Sequence, residues 1–246
     1  MRSCRAGASN DGQTLPTAGK GSTVTLAPDA VRTMFDRIAP VYDVMNRVMT
    51  MGLDLRWRRL GARAVVRPGD SVLDAACGTG DFAVADLRAG AARVVGLDFS
   101  PRMLERARRK APQVEWVEGD LLALPFGEAA FDAATVGFGV RNVADLELAL
   151  RELRRVLRPG GRLAILEITQ PRGPLKPFFS LWFDRIVPLL GRVLPGGAAY
   201  TYLPASVKRF PPAEGLVELL AGCGFGRVEF RLLGGSIVAL HTGVAE

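Results

Sequence analysis

Histidine is almost missing from this chain: of its 246 residues only His241 is one, set in an apolar stretch near the end. A histidine-dependent triad therefore has nothing to be built from, and His241 reads as a packed core residue. Cysteine is nearly as scarce. Cys4, Cys77 and Cys223 are isolated and odd in number, which gives neither a disulfide framework nor a zinc spacing. No metal is expected, and the expected setting is cytoplasmic and reducing, with the inner face of the membrane open to it. A membrane span needs about 20 apolar residues in a row. Phe178 to Leu194 comes nearest, and Asp184, Arg185, Pro188 and Arg192 interrupt it. Aromatic residues make up only 7% and do not interleave with basic ones, so nucleic acid is not an expected partner despite a net charge of +7.

What the chain does have is apolar bulk and arginine. An apolar fraction of 48% suits one α/β domain with additions. The basic residues are nearly all arginine and fall in expected helices: Arg56, Arg58, Arg59 and Arg63; Arg102, Arg106, Arg108, Arg109 and Lys110; Arg151, Arg154, Arg155 and Arg158. They read as solvated helix faces, with an anionic membrane surface as the rival reading. Residues 1–27 are rich in Ser, Thr, Gly and Ala without periodicity and read as a disordered tail. Arg2 and Arg5 against the single acid Asp11 leave a transit peptide as an alternative, though no amphipathic Arg-rich helix accompanies them.

Pro28 to about Val66 reads as a helical cap broken at Pro40 and Gly52, with Phe35, Ile38, Val41, Tyr42, Met45 and Met49 as its apolar stripe. Residues 28–246 then form one domain. Strands are expected near 71–76, 93–98, 114–118, 131–137 and 162–168, and helices near 81–89, 101–111 and 145–157. Pro159-Gly160-Gly161 marks the last helix-to-strand passage, and a helix near 213–222 leads to strands at 226–232 and 236–242 about a Gly234-Gly235 hairpin. The expected fold is a seven-stranded, mostly parallel Rossmann-like sheet with helices on both faces and one strand of the hairpin antiparallel. The apolar segment around Phe178, Trp182 and Ile186 reads either as a lid or core helix, or as a wall for a lipid-like substrate or shallow membrane contact.

The chemistry is concentrated where the apolar run ending in Asp74 meets Ala75-Ala76-Cys77-Gly78-Thr79-Gly80-Asp81. Glycines there let backbone approach a ligand, and Asp98, 24 residues beyond Asp74 at the next strand end, suits ribose hydroxyls. The spacing of Gly78, Gly80 and Ala83 also fits a dinucleotide site, but charge separates the two. A pyrophosphate would sit at the helix start, where Asp81 is expected to cap the helix and repel it. Asp81 and Asp74 together suit a ligand with an ammonium and a sulfonium, such as S-adenosylmethionine. Asp74, Gly78, Thr79 and Gly80 would lie beneath its methionine part. Asp98 would hold the ribose, Asp120 the adenine amino group, and Leu121 would pack on the ring; Phe99 and Met103 are further candidates for the donor site.

The chain resembles the ubiquinone/menaquinone-biosynthesis C-methyltransferase family, from about Val31 to Gly243. The matching blocks are Met34-Phe35-Asp36-Arg37-Ile38-Ala39-Pro40-Val41-Tyr42-Asp43 with Asn46, then Gly52, Asp54, Trp57 and Arg58. Further blocks are Gly78-Thr79-Gly80-Asp81; Asp98 with Ser100, Met103 and Leu104; Gly137-Phe138-Gly139-Val140-Arg141-Asn142; and Tyr200, Tyr202-Leu203-Pro204, Ser206 and Phe210-Pro211. The donor loop is common to many methyltransferases, whereas the first and the Gly137–Asn142 blocks are far more specific. The resemblance implies a class I S-adenosylmethionine-dependent enzyme that methylates a ring carbon of a prenylated quinol, demethylmenaquinol first. Demethylubiquinol, a phylloquinone precursor or another small lipid are the alternatives. Arg141 would stabilise a developing phenolate, and Asn142 or Tyr42 would position a proton relay. Asp36 and Asp43 would help to close the site, and Tyr200, Tyr202 and Ser206 would shape the substrate side.

Two residues depart from the family pattern. Gly137 stands where a serine is common and contributes to the donor site, so a backbone contact would have to serve there. Ala76 replaces a frequent glycine in the donor loop. A nicotinamide oxidoreductase and a silent donor-binding scaffold are the rivals from other classes. A homodimer is allowed, and nothing in the residues decides it.

Overall fold

The computed structural model describes residues 28–172, 185 and 197–246. Helix α1 (Pro28–Ile38) passes through a 3-10 turn at Ala39–Val41 into α2 (Tyr42–Thr50), and α3 (Leu53–Val65) follows. The breaks have local causes. Pro40 stops α1 from running on, and Met51 and Gly52 take left-handed backbone (φ 53° and 74°) to redirect the chain. The central part alternates as β1 (Ser71–Ala75), α4 (Asp81–Ala89), β2 (Arg93–Asp98), α5 (Pro101–Lys110), β3 (Glu115–Glu118), β4 (Phe131–Gly137), a 3-10 turn at Val140–Asn142, α6 (Leu146–Val156) and β5 (Leu157–Ile168). After α7 (Gly197–Arg209) and α8 (Ala213–Gly222) come β6 (Phe225–Leu233) and β7 (Val238–Ala245).

The seven strands form one sheet in the order β3-β2-β1-β4-β5-β7-β6. β7 pairs antiparallel with both β5 and β6, so it alone runs against the rest. Strands β1, β2 and β4 are apolar almost throughout because helices cover both faces. On one side α6 and α8 pack Leu150, Leu153 and Leu216 against Leu73, Val95 and Ile165. On the other, α3 and α4 bring Trp57, Ala62, Val65 and Phe82 against Val72, Val94, Ala133 and Ala164. α3 is thus a layer of the core. The helical cap expected over 28–66 is confined to α1, the first 3-10 turn and α2.

β5 begins at Leu157 rather than near 162. Leu157 pairs with Phe131, the register shifts, and Arg162 then pairs with Ala133. Pro159-Gly160-Gly161, with Gly160 at φ 77°, is a bulge inside the strand and not the break before it. His241 is buried on β7, where Nε2 lies 2.9 Å from the Ala213 carbonyl, and burial lowers its pKa. Cys77 and Cys223 are buried free thiols, and Cys4 lies outside the described residues. The apolar segment around Phe178 to Leu194 also lies outside them, apart from Arg185.

Candidate active site

The strand order reverses on either side of β1, and the chain leaves β2 and β3 on one side and β4 on the other. Such a switch point opens a crevice at the carboxyl ends of the strands. Here it is a cleft of about 610 Å³, walled by the loops after β1, β2, β3 and β4, by Phe35 and Tyr42 of the cap, and by Tyr202 and Phe210.

Asp98 ends β2 with both carboxylate oxygens oriented by backbone. Gly78 N–H donates to Oδ2 at 2.7 Å and Ser100 N–H to Oδ1 at 2.9 Å. The cap of α5 is Ser100, whose Oγ accepts from Met103 N–H at 3.1 Å, so Asp98 is left to the cleft. Burial pushes the Asp98 carboxyl up to about 6. Phe99, Met103, Asp120 and Leu121 line the same side, with Asp120 Oδ1 also accepting from Leu122 N–H at 2.9 Å. Tyr42 reaches over the glycine loop, its ring edge 3.8 Å from where a Cβ on Gly78 would lie.

Not every expected donor residue faces the cleft. Asp74 is fully buried behind it, and its Oδ2 accepts from Ala83 N–H, in the first turn of α4, at 2.8 Å. Asp74 therefore does the capping expected of Asp81. Burial pushes the Asp74 carboxyl up to about 7. Gly80 also stands behind the wall: at φ 83° it starts α4, and a Cβ there would strike the Trp116 ring at 2.4 Å. Asp81 lines the cleft but caps nothing. It takes Lys110 Nζ and Arg47 Nη2, each at 2.7 Å. Burial would raise its pKa, but Lys110, Arg58 and Arg47 hold it below the ordinary carboxylate range. Its charge is thus offset within the protein, so Asp74 and Asp81 are not two free carboxylates awaiting an ammonium.

This network ties the cap to the donor loop. Lys110 also pairs with Asp43 at 2.8 Å and donates to Thr79 Oγ1 at 3.1 Å, Thr79 donates to Asp43, and Arg47 pairs with Asp54. Asp36 accepts from Ser100 Oγ at 2.6 Å, a second tie between cap and sheet. From the sequence Asp36 and Asp43 are expected to help close the site, whereas Lys110 reads as part of a solvated helix face and Arg47 is not singled out.

Across the cleft, Gly137, Phe138 and Gly139 leave β4 with Phe138 at φ 63°, a strained value for a bulky residue. The turn that follows presents Arg141 and Asn142 to the cleft. Arg141 Nη1 donates to Glu167 Oε1 at 2.6 Å and to the Phe138 carbonyl at 2.7 Å. Glu167 is only 1% exposed and also accepts from Arg141 N–H and Ile168 N–H. It was not expected from the sequence, although a lone carboxylate inside the apolar β5 was visible there. Asn142 Nδ2 donates to the Phe138 carbonyl at 3.4 Å, while its buried Oδ1 has no partner. Tyr202 lines the cleft and packs with Val31 and Met34 of α1. Ser206 does not; its hydroxyl is spent on the Leu203 carbonyl at 2.9 Å within α7. The backbone of Tyr200 is in α7, and its side chain is outside the described residues.

A nucleoside with a short charged tail fits these residues: a carboxylate placed for ribose at one end, a bare glycine loop in the middle, and a buried donor without a partner on Arg58 at the other. Fold and cleft together define a class I S-adenosylmethionine-dependent methyltransferase. A methyltransferase of that dependence from Thermotoga maritima superposes with a TM-score of 0.60 at 22% identity, covering 87% of this chain and 99% of that one. Residues 23–245 match the ubiE/COQ5 methyltransferase family, and the chain belongs to it. Its relatives include the demethylmenaquinone methyltransferase of Thermus thermophilus, 47% identical over 85% of this chain and 99% of that protein. The 2-phytyl-1,4-naphtoquinone methyltransferase of Synechococcus elongatus is 41% identical over 83% of this chain and 92% of that protein.

Proposed function

We propose that this enzyme methylates a ring carbon of a prenylated naphthoquinol, demethylmenaquinol first, and releases S-adenosylhomocysteine and a proton. The observation that carries the reading is the Arg141 guanidinium, held by buried Glu167 in the lining of the donor cleft. The names of the Thermus and Synechococcus relatives support the naphthalene ring over a benzoquinol. S-adenosylmethionine supplies an electrophilic methyl group on a sulfonium.

The remaining work falls to the protein. A quinol ring carbon becomes nucleophilic as the neighbouring hydroxyl gives up its proton, and a cation at that oxygen favours the loss. Arg141 supplies that cation. Its Nη1 is already committed to Glu167 and the Phe138 carbonyl, so the group is oriented before the substrate arrives. Asn142 Oδ1, buried and without a partner, is a hydrogen-bond acceptor that can position a water, and that water carries the departing proton to solvent. Tyr42, whose ring edge lies over Gly78, would then border both donor and acceptor. When the carbon takes the methyl, the C–S bond breaks and the ring proton leaves, which restores aromaticity.

Methyl transfer from labelled S-adenosylmethionine to reduced demethylmenaquinone, with a demethylated benzoquinol alongside under anaerobic conditions, tests the reading. Product on the naphthoquinol alone is expected. Product only on the benzoquinol would replace the substrate, and product on neither, with donor bound, would overturn the reading.

A second observation bears on how a prenylated substrate arrives. Val44 (64% exposed), Val48 (62%) and Met51 (85%) form one outward stripe along α2 and its end, and Arg56 and Arg59 are exposed on the next helix, α3. No described helix is long and apolar enough to cross a membrane. An exposed apolar stripe followed by exposed arginines suits shallow contact with an anionic bilayer. Val48→Asp with Met51→Glu should then release the enzyme from anionic vesicles in co-sedimentation; undiminished binding would exclude this stripe.

A further inference from the structure

Arg58 lies on α3, 4% exposed, on the wall of the cleft beside Gly137. A buried guanidinium is costly unless it meets an anion or satisfies its donors. Arg58 makes no hydrogen bond or ion pair with any described residue, and its Nε is a buried donor without an acceptor. Two aromatic rings hold it instead: Cζ is 5.1 Å from the centre of the Phe138 ring and 5.8 Å from that of Phe82. The Arg58 charge favours the ionised forms of Asp74, Asp81 and Asp86, but none of them hydrogen-bonds to it. Asp81 holds Arg47 and Lys110, while Asp86 accepts from Thr135 at 2.8 Å and Asp74 from Ala83, each through Oδ2 and each with a buried Oδ1 that has no partner.

The missing side chain at Gly137 makes the place. A Cβ there would lie 2.4 Å from Arg58 Nη1 and 2.8 Å from Phe82 Cδ1. The guanidinium is therefore desolvated, fixed between two rings, and open to the cleft. Sheet order then says which end of a ligand would reach it. Asp98, Asp120 and Leu121 follow β2 and β3 on one side of β1, whereas Gly137 ends β4 on the other. A donor whose adenosine end lies at Asp98 would extend its amino-acid end across the glycine loop toward Arg58.

We propose that Arg58 receives the α-carboxylate of the methyl donor, an assignment that rests on the cleft being the S-adenosylmethionine site. The pair forms where water is excluded, so its loss should cost affinity for every ligand that carries the carboxylate and for none that lacks it.

The test is calorimetric binding of S-adenosylhomocysteine and of its decarboxylated form, which keeps the nucleoside, sulfur and amine. The wild type should bind the intact ligand at least about tenfold more tightly, as expected for one charge-assisted pair. Arg58→Met should weaken S-adenosylhomocysteine to a similar degree while changing the decarboxylated ligand less than about threefold, and Arg58→Lys should recover part of the loss. Gly137→Ala, which crowds Nη1 without removing it, should give the same selective loss and serves if Arg58→Met does not fold. Equal affinity of the wild type for the two ligands, or equal weakening of both in the variants, would overturn the assignment alone. Binding of neither by the wild type would overturn the donor reading and this assignment with it.

Discussion

The two halves of the cleft are built by different means. The half proposed for the donor is made of strand ends: the turn after β1, Asp98 at the end of β2, and the residues after β3, joined by backbone bonds such as Cys77 N–H to the Leu97 carbonyl at 2.9 Å and Gly119 N–H to the Asp98 carbonyl at 3.1 Å. The half proposed for the acceptor is made of side chains from distant segments. Tyr42 comes from α2, Arg141 and Asn142 from the turn after β4, and Tyr202 from α7, and what orients Arg141 is a carboxylate on β5. Backbone geometry is stamped by the sheet, so the donor half tolerates change outside its few contacts. The acceptor half depends on ion pairs and packing that a single substitution can undo.

The sharpest way to break this comparison is to disarm the acceptor half while keeping it neutral. Replacing Arg141 by Met and Glu167 by Gln together avoids a buried unpaired charge. Turnover should fall on the order of 10²–10³-fold, the usual loss of a group that stabilises developing charge. Donor affinity measured by calorimetry should stay within about threefold. The donor half answers in the opposite way. Asp98→Ala removes an acceptor for ribose hydroxyls, each hydrogen bond to a charged group contributing about 1.5–3 kcal/mol, so donor Kd should rise roughly 10- to 100-fold. Turnover at saturating donor should change much less.

Titration sharpens the same contrast. The Asp98 carboxyl, pushed up to about 6 by burial, must be ionised for both of its oxygens to accept. Above pH 6 it is already charged and affinity should be flat; below pH 6 a proton must leave first, and donor Kd should rise toward tenfold per pH unit. Asp98→Asn should abolish that slope. The smallest expected effect is in the loop itself. Ala76 sits at φ 52°, where glycine carries no Cβ penalty. Ala76→Gly should raise unfolding free energy by about 0.5–1 kcal/mol in denaturant titration, with turnover unaffected.

The same division explains what the sequence discloses. Buried parallel strands are apolar runs, and those that end at Asp98 and Gly137 are legible with their boundaries because the chain must turn polar at the cleft. Resemblance to a family brought in Arg141, Asn142 and Tyr42, which spacing does not single out. The misreadings have one cause, which is that a partner fixed by tertiary packing leaves no local mark. Asp81 looks like a cap, yet Asp74 reaches the Ala83 N–H first, and Arg47 and Lys110 then claim Asp81. Arg58 looks like part of a solvated face until Phe82 and Phe138 close over it from other segments. Pro159-Gly160-Gly161 reads as a stop, but a register shift lets β5 run through it. Ser206 matches the family block, yet it turns its hydroxyl to Leu203 within its own helix.

The central claim is that binding the donor and activating the acceptor are separate tasks of the two halves. Donor Kd and single-turnover methyl transfer, measured side by side for Asp98→Ala and for Arg141→Met with Glu167→Gln, test it most directly. The expected result is crossed: Asp98→Ala loses donor affinity and keeps its chemical step, and the Arg141 variant keeps affinity and loses the step. Equal loss of donor affinity in both would contradict it.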